Sequence, residues 1–287
     1  MLGKVPRAGT GVHRWVFASA CRCLEAKLPE GVAFELIRDR VRGCGRRVPA
    51  GEIRSALAEA ERKVFSGSTL QYRGEPSTPE APRWPKLDVA KRALIIKHGI
   101  GAPDLCDLSP SPLERGAEAF IDVLFPGDPL LCVGKSEKAF ATRRRSALRG
   151  HFERLSHLVP NPMSARRGLT KNGTWSERTR ANTGERLYLV LDFDAGEADH
   201  HAAIIWFLAQ KRPLKLVMHS ANKSLHGWFK VAGLSEEALL AFMAEAVSLG
   251  ADPGLWWKEH FARIPGGWRD DHKAKGRQSV LYINDSL

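Results

Sequence analysis

The sequence lacks the features of a disulfide-bonded or membrane-spanning protein. Its five cysteines include no Cys-x-x-Cys pair, which argues against both a disulfide scaffold and a zinc ribbon or finger. No apolar run approaches the roughly 20 residues that cross a bilayer, and the first residues lack the apolar core of a secretory signal. We therefore expect a cytoplasmic protein with reduced thiols and no membrane partner.

Acidic residues are fewer than basic ones. Lysine and arginine number 44 against 32 aspartates and glutamates, which gives a net charge of +12 over 287 residues. A field of this sign favours polyanions, and nucleic acid is a stronger expectation here than a membrane surface. The 43% apolar and 26% charged residues are ordinary for a globular protein.

Residues 1–67 carry apolar side chains at helical spacing and predict a small basic module of three helices. The stripes are Val12, Val16 and Cys23; Val32, Leu36, Ile37 and Val41; and Ile53, Leu57, Ala60 and Val64. Residues 68–85 belong to a stretch rich in proline, glycine and serine, which predicts a linker. A second domain is expected over 86–287.

Helical spacing resumes in the second domain over 87–97 and 113–125, and a third helix is expected within 136–158. The cations of this third segment are Lys138, Arg143, Arg144, Arg145, Arg149 and Arg154. We take its three consecutive arginines as candidate nucleic-acid contacts. A solvated helix face is an equal interpretation of the same charges.

From residue 186 onward the pattern becomes β-α-β-β-α-β. The predicted elements are a strand over 187–191, a helix over 198–210, strands over 214–219 and 226–231, a helix over 235–250, and a last strand pair near 261–264 and 279–283. The first strand is apolar throughout, as in a strand buried on both faces. The last pair is expected to close the sheet, so the predicted fold class is α/β (α+β).

Two carboxylates end the first strand of this pattern. Because side chains alternate along a strand, Asp192 and Asp194 should point the same way, with Cα atoms about 7 Å apart. Two converging carboxylates repel each other and lose hydration, and a bound divalent cation offsets both costs. A strand that simply ends in a polar turn explains this pair alone equally well.

A second constellation follows one helix and one strand later. The turn Asn222-Lys223-Ser224 precedes His226, and its backbone N–H groups, lysine, hydroxyl and imidazole suit a triphosphate. Asp252, after the next helix, supplies a third carboxylate. Three carboxylates can hold two Mg²⁺ or Mn²⁺ ions, the arrangement used in nucleotidyl transfer.

A proline leaves open which residue supplies the third carboxylate. Pro253 follows Asp252 directly and fits poorly in a central strand. Either Asp252 lies just outside the strand, or a later acid, Asp270 or Asp271, takes its place.

Four ordered motifs resemble the archaeo-eukaryotic primase superfamily, most of all the primase-polymerases of phages, plasmids and prophages. They are LVLDFD (189–194), NKSLHGWF (222–229), GAD (250–252) and FARIPG (261–266). The resemblance covers about residues 120 to 284. It implies a catalytic domain with a sheet like that of the RNA-recognition motif, preceded by the helical module.

The resemblance also implies an activity, DNA-templated nucleotidyl transfer that makes or extends primers by a two-metal mechanism. Asp192, Asp194 and Asp252 would hold Mg²⁺ or Mn²⁺, and Lys223, Ser224, His226 and Arg263 would bind the NTP or dNTP. Arg166, Arg167 and Lys171 are expected template or phosphate contacts on a single-stranded DNA template. No helicase region follows, so unwinding would need a separate replicative helicase as partner.

Three other functions fit parts of the pattern. The first is a catalytically inactive relative that only binds nucleic acid in replication, which metal binding at Asp192 and Asp194 would distinguish. A rolling-circle nicking enzyme needs a His-apolar-His pair, which the sequence lacks. A two-metal nuclease would not need the Ser-x-His turn and would shorten strands rather than extend them.

Overall fold

A computed structural model describes residues 5–6, 11–26, 28–67, 82–170 and 174–287. The chain divides into two compact units, Met1–Ala81 and Pro82–Leu287. Most of the predicted linker lies outside the described residues. None of the helices in the described ranges is long and apolar enough to span a bilayer.

The first unit contains three helices around one apolar core. They are α1 (Val12–Glu25), α2 (Glu30–Val41) and α3 (Ala50–Gly67). The stripes predicted for α1 and α3 are buried, apart from Val64, whose side chain lies outside the described set. The stripe predicted for α2 is partly wrong, because Val32 and Leu36 are exposed and Ala33 joins Ile37 and Val41 in the core.

The second unit combines helices with antiparallel sheets. Its helices are α4 (Val89–His98), α5 (Ala102–Asp107), α6 (Ala117–Leu124), α7 (Ala198–Ala209) and α8 (Glu236–Ser248). Its strands are β1 (Leu130–Ser136), β2 (Ala139–Arg144), β3 (His157–Leu158), β4 (Gly168–Leu169), β5 (Trp175–Ser176), β6 (Tyr188–Asp192), β7 (Leu214–His219), β8 (Leu225–Lys230), β9 (Ala262–Arg263), β10 (Trp268–Asp270), β11 (Lys275–Arg277) and β12 (Val280–Ile283). A mixed α/β class with antiparallel sheets is therefore confirmed.

The helix predicted within 136–158 is wrong. This segment forms β2, which pairs antiparallel with β1, followed by two 3₁₀ turns, Arg145–Leu148 and Phe152–Arg154, and by β3. Alanine and arginine favour helices locally, but pairing with β1 outweighs that weak preference. The Asp128 carboxylate also accepts hydrogen bonds from the Ser146 N–H and hydroxyl, which fixes the chain just after β2.

Two four-stranded sheets form the body of this unit. The first has the order β2-β1-β3-β9 and the second the order β12-β7-β8-β6. The succession of elements from β6 to α8 follows the predicted β-α-β-β-α pattern, and in the second sheet β8 lies between β6 and β7. The predicted last strand pair is wrong in one respect, because only β12 joins this sheet, while β9 pairs with β3 in the first.

Residues of the second sheet are buried on both faces. Leu189 and Leu191 of β6 pack into a core with α7 and α8. Tyr188 and Val190 alternate with them and face a second core, to which both sheets and α6 contribute. Trp228 of β8 lies fully buried in this second core. The two sheets are therefore joined by shared apolar packing.

Candidate nucleotide and metal site

One cavity of about 570 Å³ lies at the ends of these strands. Seven residues that the sequence singled out line it: Asp192, Asp194, Lys223, Ser224, His226, Asp252 and Arg263. They come from four separate segments, namely the end of β6, the β7–β8 turn with the start of β8, the chain after α8, and β9. The fold therefore brings together residues that lie up to 71 positions apart (263 − 192 = 71).

Strand alternation explains which face carries the site. Tyr188, Val190 and Asp192 share one face of β6, and the register pairs Val190 with Trp228 and Asp192 with His226. This is the face that packs towards the first sheet. The cavity thus lies where the apolar packing between the two sheets ends.

Asp252 reaches the site through the end of α8. Gly250 has a left-handed φ of 101°, and the Ala251 N–H donates to the Ala246 carbonyl, which is the Schellman ending expected for this helix. Ala251 then forms an antiparallel bridge with Phe193. As a result, the Asp252 N–H donates to the Asp192 carbonyl over 2.9 Å.

The position of Asp252 also explains the proline that follows it. Ala251 makes only an isolated bridge beside β6, so Asp252 lies just beyond a paired position, and Pro253 starts a 3₁₀ turn (Pro253–Trp256). The Asp252 carboxylate caps this turn by accepting the Gly254 N–H over 2.8 Å. Proline here costs no ladder hydrogen bond.

The two alternative acids are engaged elsewhere. The Asp271 carboxylate accepts hydrogen bonds from Arg263 and Arg269, at 3.2 and 2.8 Å. Asp270 is exposed and pairs with Lys275. Neither acid lines the cavity, whereas Asp252 does.

The Asp192 carboxylate and the His226 imidazole are in contact within the site. Their Oδ2 and Nε2 atoms are 3.3 Å apart, and the other Asp192 oxygen accepts the Phe193 N–H over 2.8 Å. Burial alone would raise the pKa of Asp192. The charge and hydrogen bond of His226, together with the Ser224 hydroxyl and the Phe193 N–H, outweigh burial and hold this pKa well below its usual range. Asp192 is therefore an anion at neutral pH.

The turn between β7 and β8 is held from both ends. The Ser220 and Ser224 hydroxyls are 2.9 Å apart, and the Ser220 N–H donates to the Ser224 carbonyl over 2.9 Å. Ala221 adopts a left-handed φ of 60°, uncommon for a residue with a Cβ. This tight turn presents Lys223 to the cavity.

Four cations also line the cavity. Besides Lys223 and Arg263, they include Arg269 and Lys273, which belong to a basic loop over 269–277 that the sequence suggested for gripping nucleic acid, not for nucleotide binding. Arg269 is only 4% exposed, and its guanidinium donates to the Ser220 carbonyl over 3.1 Å. The sequence showed only a basic loop here, and nothing in it marked Arg269 as the buried member.

Arg263 is buried as well. Its guanidinium donates to the Ser156 hydroxyl over 2.9 Å and to Asp271 over 3.2 Å. Burial, and then the charge of Arg269, lower its pKa from the usual value. Asp271 thus holds two arginines side by side at the cavity wall.

The chain matches no known protein-family model, no curated protein and no solved structure. What the cavity does is therefore argued from its own residues and contacts. Those residues combine hard oxygen ligands with four cations in one cleft. A phosphorylated ligand that carries divalent cations has the complementary distribution of charge.

The donor chemistry at the carboxylate end fits a divalent cation. Carboxylate oxygens are the ligands that Mg²⁺ and Mn²⁺ prefer, and Asp192, Asp194 and Asp252 all face the cavity. Among the residues that the structure describes, no three histidine, cysteine or acidic side chains are close enough to hold one ion together. Binding would therefore require these carboxylates to turn towards a shared point.

His157 is a wall residue that sequence reasoning missed. It lies on β3 opposite Arg263, is buried, and lines the cavity. Both ring nitrogens lack a hydrogen-bond partner within the described part of the chain. No motif surrounds it, so only the β3–β9 pairing reveals its place. Unpartnered buried nitrogens facing a cleft are available to a ligand.

The buried His157 predicts a loss of stability in mild acid. Burial, then the charge of Arg263, lower its pKa from 6.5 to about 3, and the opposing charge of Asp271 offsets only part of this shift. Between these values the unfolded chain binds the extra proton, so stability falls as pH drops from 6.5 towards 3, by at most about 1.4 kcal/mol per pH unit. Urea unfolding at pH 7 and pH 5 should show this loss, and His157→Leu should reduce it.

An unchanged pH dependence in His157→Leu would contradict this account. His201, His219 and His260 also have pKa values lowered by burial, so the His157→Leu protein should still lose some stability in acid. The difference between the two proteins is therefore the relevant quantity. Exposed His98→Leu is the matched control and should leave the dependence unchanged.

The predicted nucleic-acid contacts lie away from the cavity. Arg143 pairs with Glu177, Arg144 donates to the Asp128 carbonyl, and Arg145 pairs with Asp122. Arg166 and Arg167 are exposed, and Lys171 lies outside the described residues. None of the five arginines in this set, all of which the structure describes, lines the cavity.

Proposed function

We propose that the second unit catalyses DNA-templated nucleotidyl transfer, as primer synthesis, primer extension or both. One observation supports this most. The seven residues expected to hold metal and nucleotide line a single cavity, although four distant segments supply them. Chance matches to short motifs would have no reason to meet in space.

The charges of the cavity support a nucleoside triphosphate as ligand. Carboxylates come from β6 and from the chain after α8, while Lys223, Arg263, Arg269 and Lys273 supply positive charge. Backbone N–H groups of a tight turn together with lysine and arginine side chains suit phosphate oxygens. Only the carboxylate end suits a divalent cation.

The sheet order supports the proposed likeness to primase-polymerases. β8 lies between β6 and β7, and the chain after α8 returns beside β6 through the Ala251–Phe193 bridge. This is the split β-α-β arrangement of a sheet like that of the RNA-recognition motif. β12 extends it at the opposite edge.

Each residue then has a stated role in the proposed reaction. Asp192, Asp194 and Asp252 would hold Mg²⁺ or Mn²⁺, which when bound supplies charge neutralisation and activates the attacking 3′-hydroxyl. Lys223 and Arg263 would bind and orient the triphosphate. Catalysis of this kind depends mainly on positioning and on compensating charge. Template, nucleotide and a separate helicase are the proposed partners.

The second candidate is a catalytically inactive relative that only binds nucleic acid. Its supporting observation is the contact between Asp192 and His226, which occupies one carboxylate oxygen. In such a protein that contact would serve stability alone. Template binding would then persist without any incorporation of nucleotide.

The deciding experiment measures incorporation of labelled nucleotides on a single-stranded template. Reactions contain Mg²⁺ or Mn²⁺, with and without primer, and with NTPs or dNTPs. Template-dependent products support the proposal, and products without primer establish priming. Intact template binding with no product in any reaction would favour the inactive relative, while shortened template strands would indicate a nuclease.

Lys223 provides a prediction specific to nucleotide binding. Lys223→Ala should raise the KM for nucleotide by about 10- to 100-fold, because it removes a charge-assisted contact with phosphate. Lys230→Ala is the matched control, since Lys230 is exposed at the far end of β8. A KM that changes equally in both variants would argue against a phosphate contact at Lys223.

A further inference from the structure

A second cavity, which we call the Trp268 groove, lies beside the candidate nucleotide site. It has a volume of about 650 Å³, and Lys135, Arg154, Arg277 and Trp268 contribute to its walls. A neighbouring cavity of about 490 Å³ shares Arg277 and Gly266 with it, so the groove extends further along the surface. No residue of the proposed catalytic set lines either of them.

The two sites share one wall, the β10–β11 hairpin. Trp268 and Arg269 are consecutive on β10, so their side chains point to opposite sides. Arg269 is 4% exposed and lines the nucleotide cavity, whereas Trp268 is 52% exposed and lines the groove.

Other segments also contribute to both sites. Lys135, near the end of β1, lines the groove, and Glu137, the first residue after β1, lines the nucleotide cavity. Arg154 precedes β3 and lines the groove, while His157 on β3 lines the cavity. The groove and the cavity therefore run side by side along the same edge of the unit.

The chemistry of the groove suits a single nucleic-acid strand. Lys135, Arg154 and Arg277 are exposed, and the Arg277 guanidinium is oriented by donating to the Arg115 carbonyl over 2.8 Å. The groove also contains Glu153 and Asp270, but Lys275 pairs with the latter. Cations that follow a phosphate backbone, with an aromatic ring on which bases stack, form the usual single-strand platform.

A lone exposed tryptophan is ordinary on a protein surface and needs no ligand to explain it. Trp268 differs in its surroundings. It lies in a cleft that contains three cations, and this cleft shares a wall with the candidate nucleotide site. Trp175 is the contrasting case. It is 36% exposed on β5 and lines neither the groove nor the nucleotide cavity.

We propose that the Trp268 groove binds single-stranded nucleic acid, with Trp268 stacking on a base and Lys135, Arg154 and Arg277 contacting phosphates. Its role as a template path rests on the proposed function, whereas the binding itself does not. A strand in this groove would pass along the hairpin that also carries Arg269. The template would then lie next to the incoming nucleotide.

Binding of labelled oligo(dT) tests this inference without catalysis. Measured by anisotropy in EDTA and without nucleotide, Trp268→Ala should weaken binding by about 5- to 150-fold. Trp268→Phe keeps a ring and should recover much of the affinity. Trp175→Ala should bind like the wild-type protein. Equal affinity in Trp268→Ala and wild type would overturn the proposal.

Salt dependence tests the phosphate contacts separately. Arg154→Ala should lower the slope of log Kd against log salt by about 0.7, the value for one phosphate contact with a single strand. Lys230→Ala should leave the slope unchanged. Oligo(U) should behave like oligo(dT), because neither stacking nor phosphate contact reads the sugar. Loss of oligo(U) binding alone would show that the groove discriminates by the sugar, and would contradict binding through stacking and phosphate contacts alone.

This binding assay distinguishes failure of the groove from failure of the proposed function. Asp192→Asn/Asp194→Asn should bind oligo(dT) normally, since neither residue lines the groove. If the wild-type protein makes no product but Trp268→Ala loses binding, the groove stands and the polymerase proposal fails. If products form but binding does not depend on Trp268, the groove proposal fails alone.

Discussion

Asp192→Asn/Asp194→Asn should reduce template-dependent incorporation by at least about 100-fold. Each bound cation is worth several kcal/mol of transition-state stabilisation, and 1.36 kcal/mol corresponds to a factor of ten in rate. Asparagine preserves shape, and at position 192 it can still accept the Phe193 N–H that Asp192 accepts now. The loss should therefore appear in kcat, measured by primer extension with saturating nucleotide under conditions where circular dichroism shows the variant folded, because the change also removes the contact of the Asp192 carboxylate with His226.

The matched control is Glu185→Gln, which makes the same chemical change on an exposed residue of the same unit outside the cavity. It should keep wild-type activity. If the double variant extends primers as fast as this control, the carboxylates do not hold the catalytic cations. Wild-type oligo(dT) binding by the double variant would show that the lost step is chemistry rather than template recognition.

The carboxylate face of this site could be predicted from the sequence. A single alternation runs through Tyr188, Val190 and Asp192, which strand geometry places on one face, and Asp194 lines the same cavity from just beyond β6. The Gly250 ending of α8 was predictable in the same way, because glycine suits a left-handed C-terminal position. Both are local patterns, and local patterns are what periodicity detects.

The cationic wall could not be predicted because it depends on pairing between distant segments. Arg263 contacts Ser156, which lies 107 residues earlier, and this contact arises from the β3–β9 pairing. The two paired strands are two residues each, too short to show any alternation. Arg269 likewise acquires its place only through Asp271 and the Ser220 carbonyl.

The incorrect helix prediction over 136–158 has the same origin. Short strands and 3₁₀ turns leave little periodicity, so a stripe of Leu148, Phe152 and Leu155 fits a helix by coincidence of spacing. In the structure these three residues point into the core between the sheets from irregular backbone. Their spacing is set by tertiary packing and not by the periodicity of a helix.

Trp228→Ala should cost about 3–5 kcal/mol of the free energy of unfolding of the second unit. The indole is fully buried in the core that both sheets share and contacts the Tyr188 ring edge-on at 5.7 Å. Its removal leaves a cavity between two sheets that no short shift of one strand can fill. Urea unfolding should show a lower midpoint with an unchanged slope.

Trp175→Ala is the control for this change, because the same side chain is removed from an exposed position. Its cost should stay within about 0.5 kcal/mol. Equal midpoints for both variants would mean that the two sheets do not depend on a common core.

Trp228 lies two residues from His226 on the same face of β8. The packing that joins the sheets therefore also brings Arg263 and His157 to the face that carries Asp192, so loss of Trp228 should weaken the site by loosening its cationic wall.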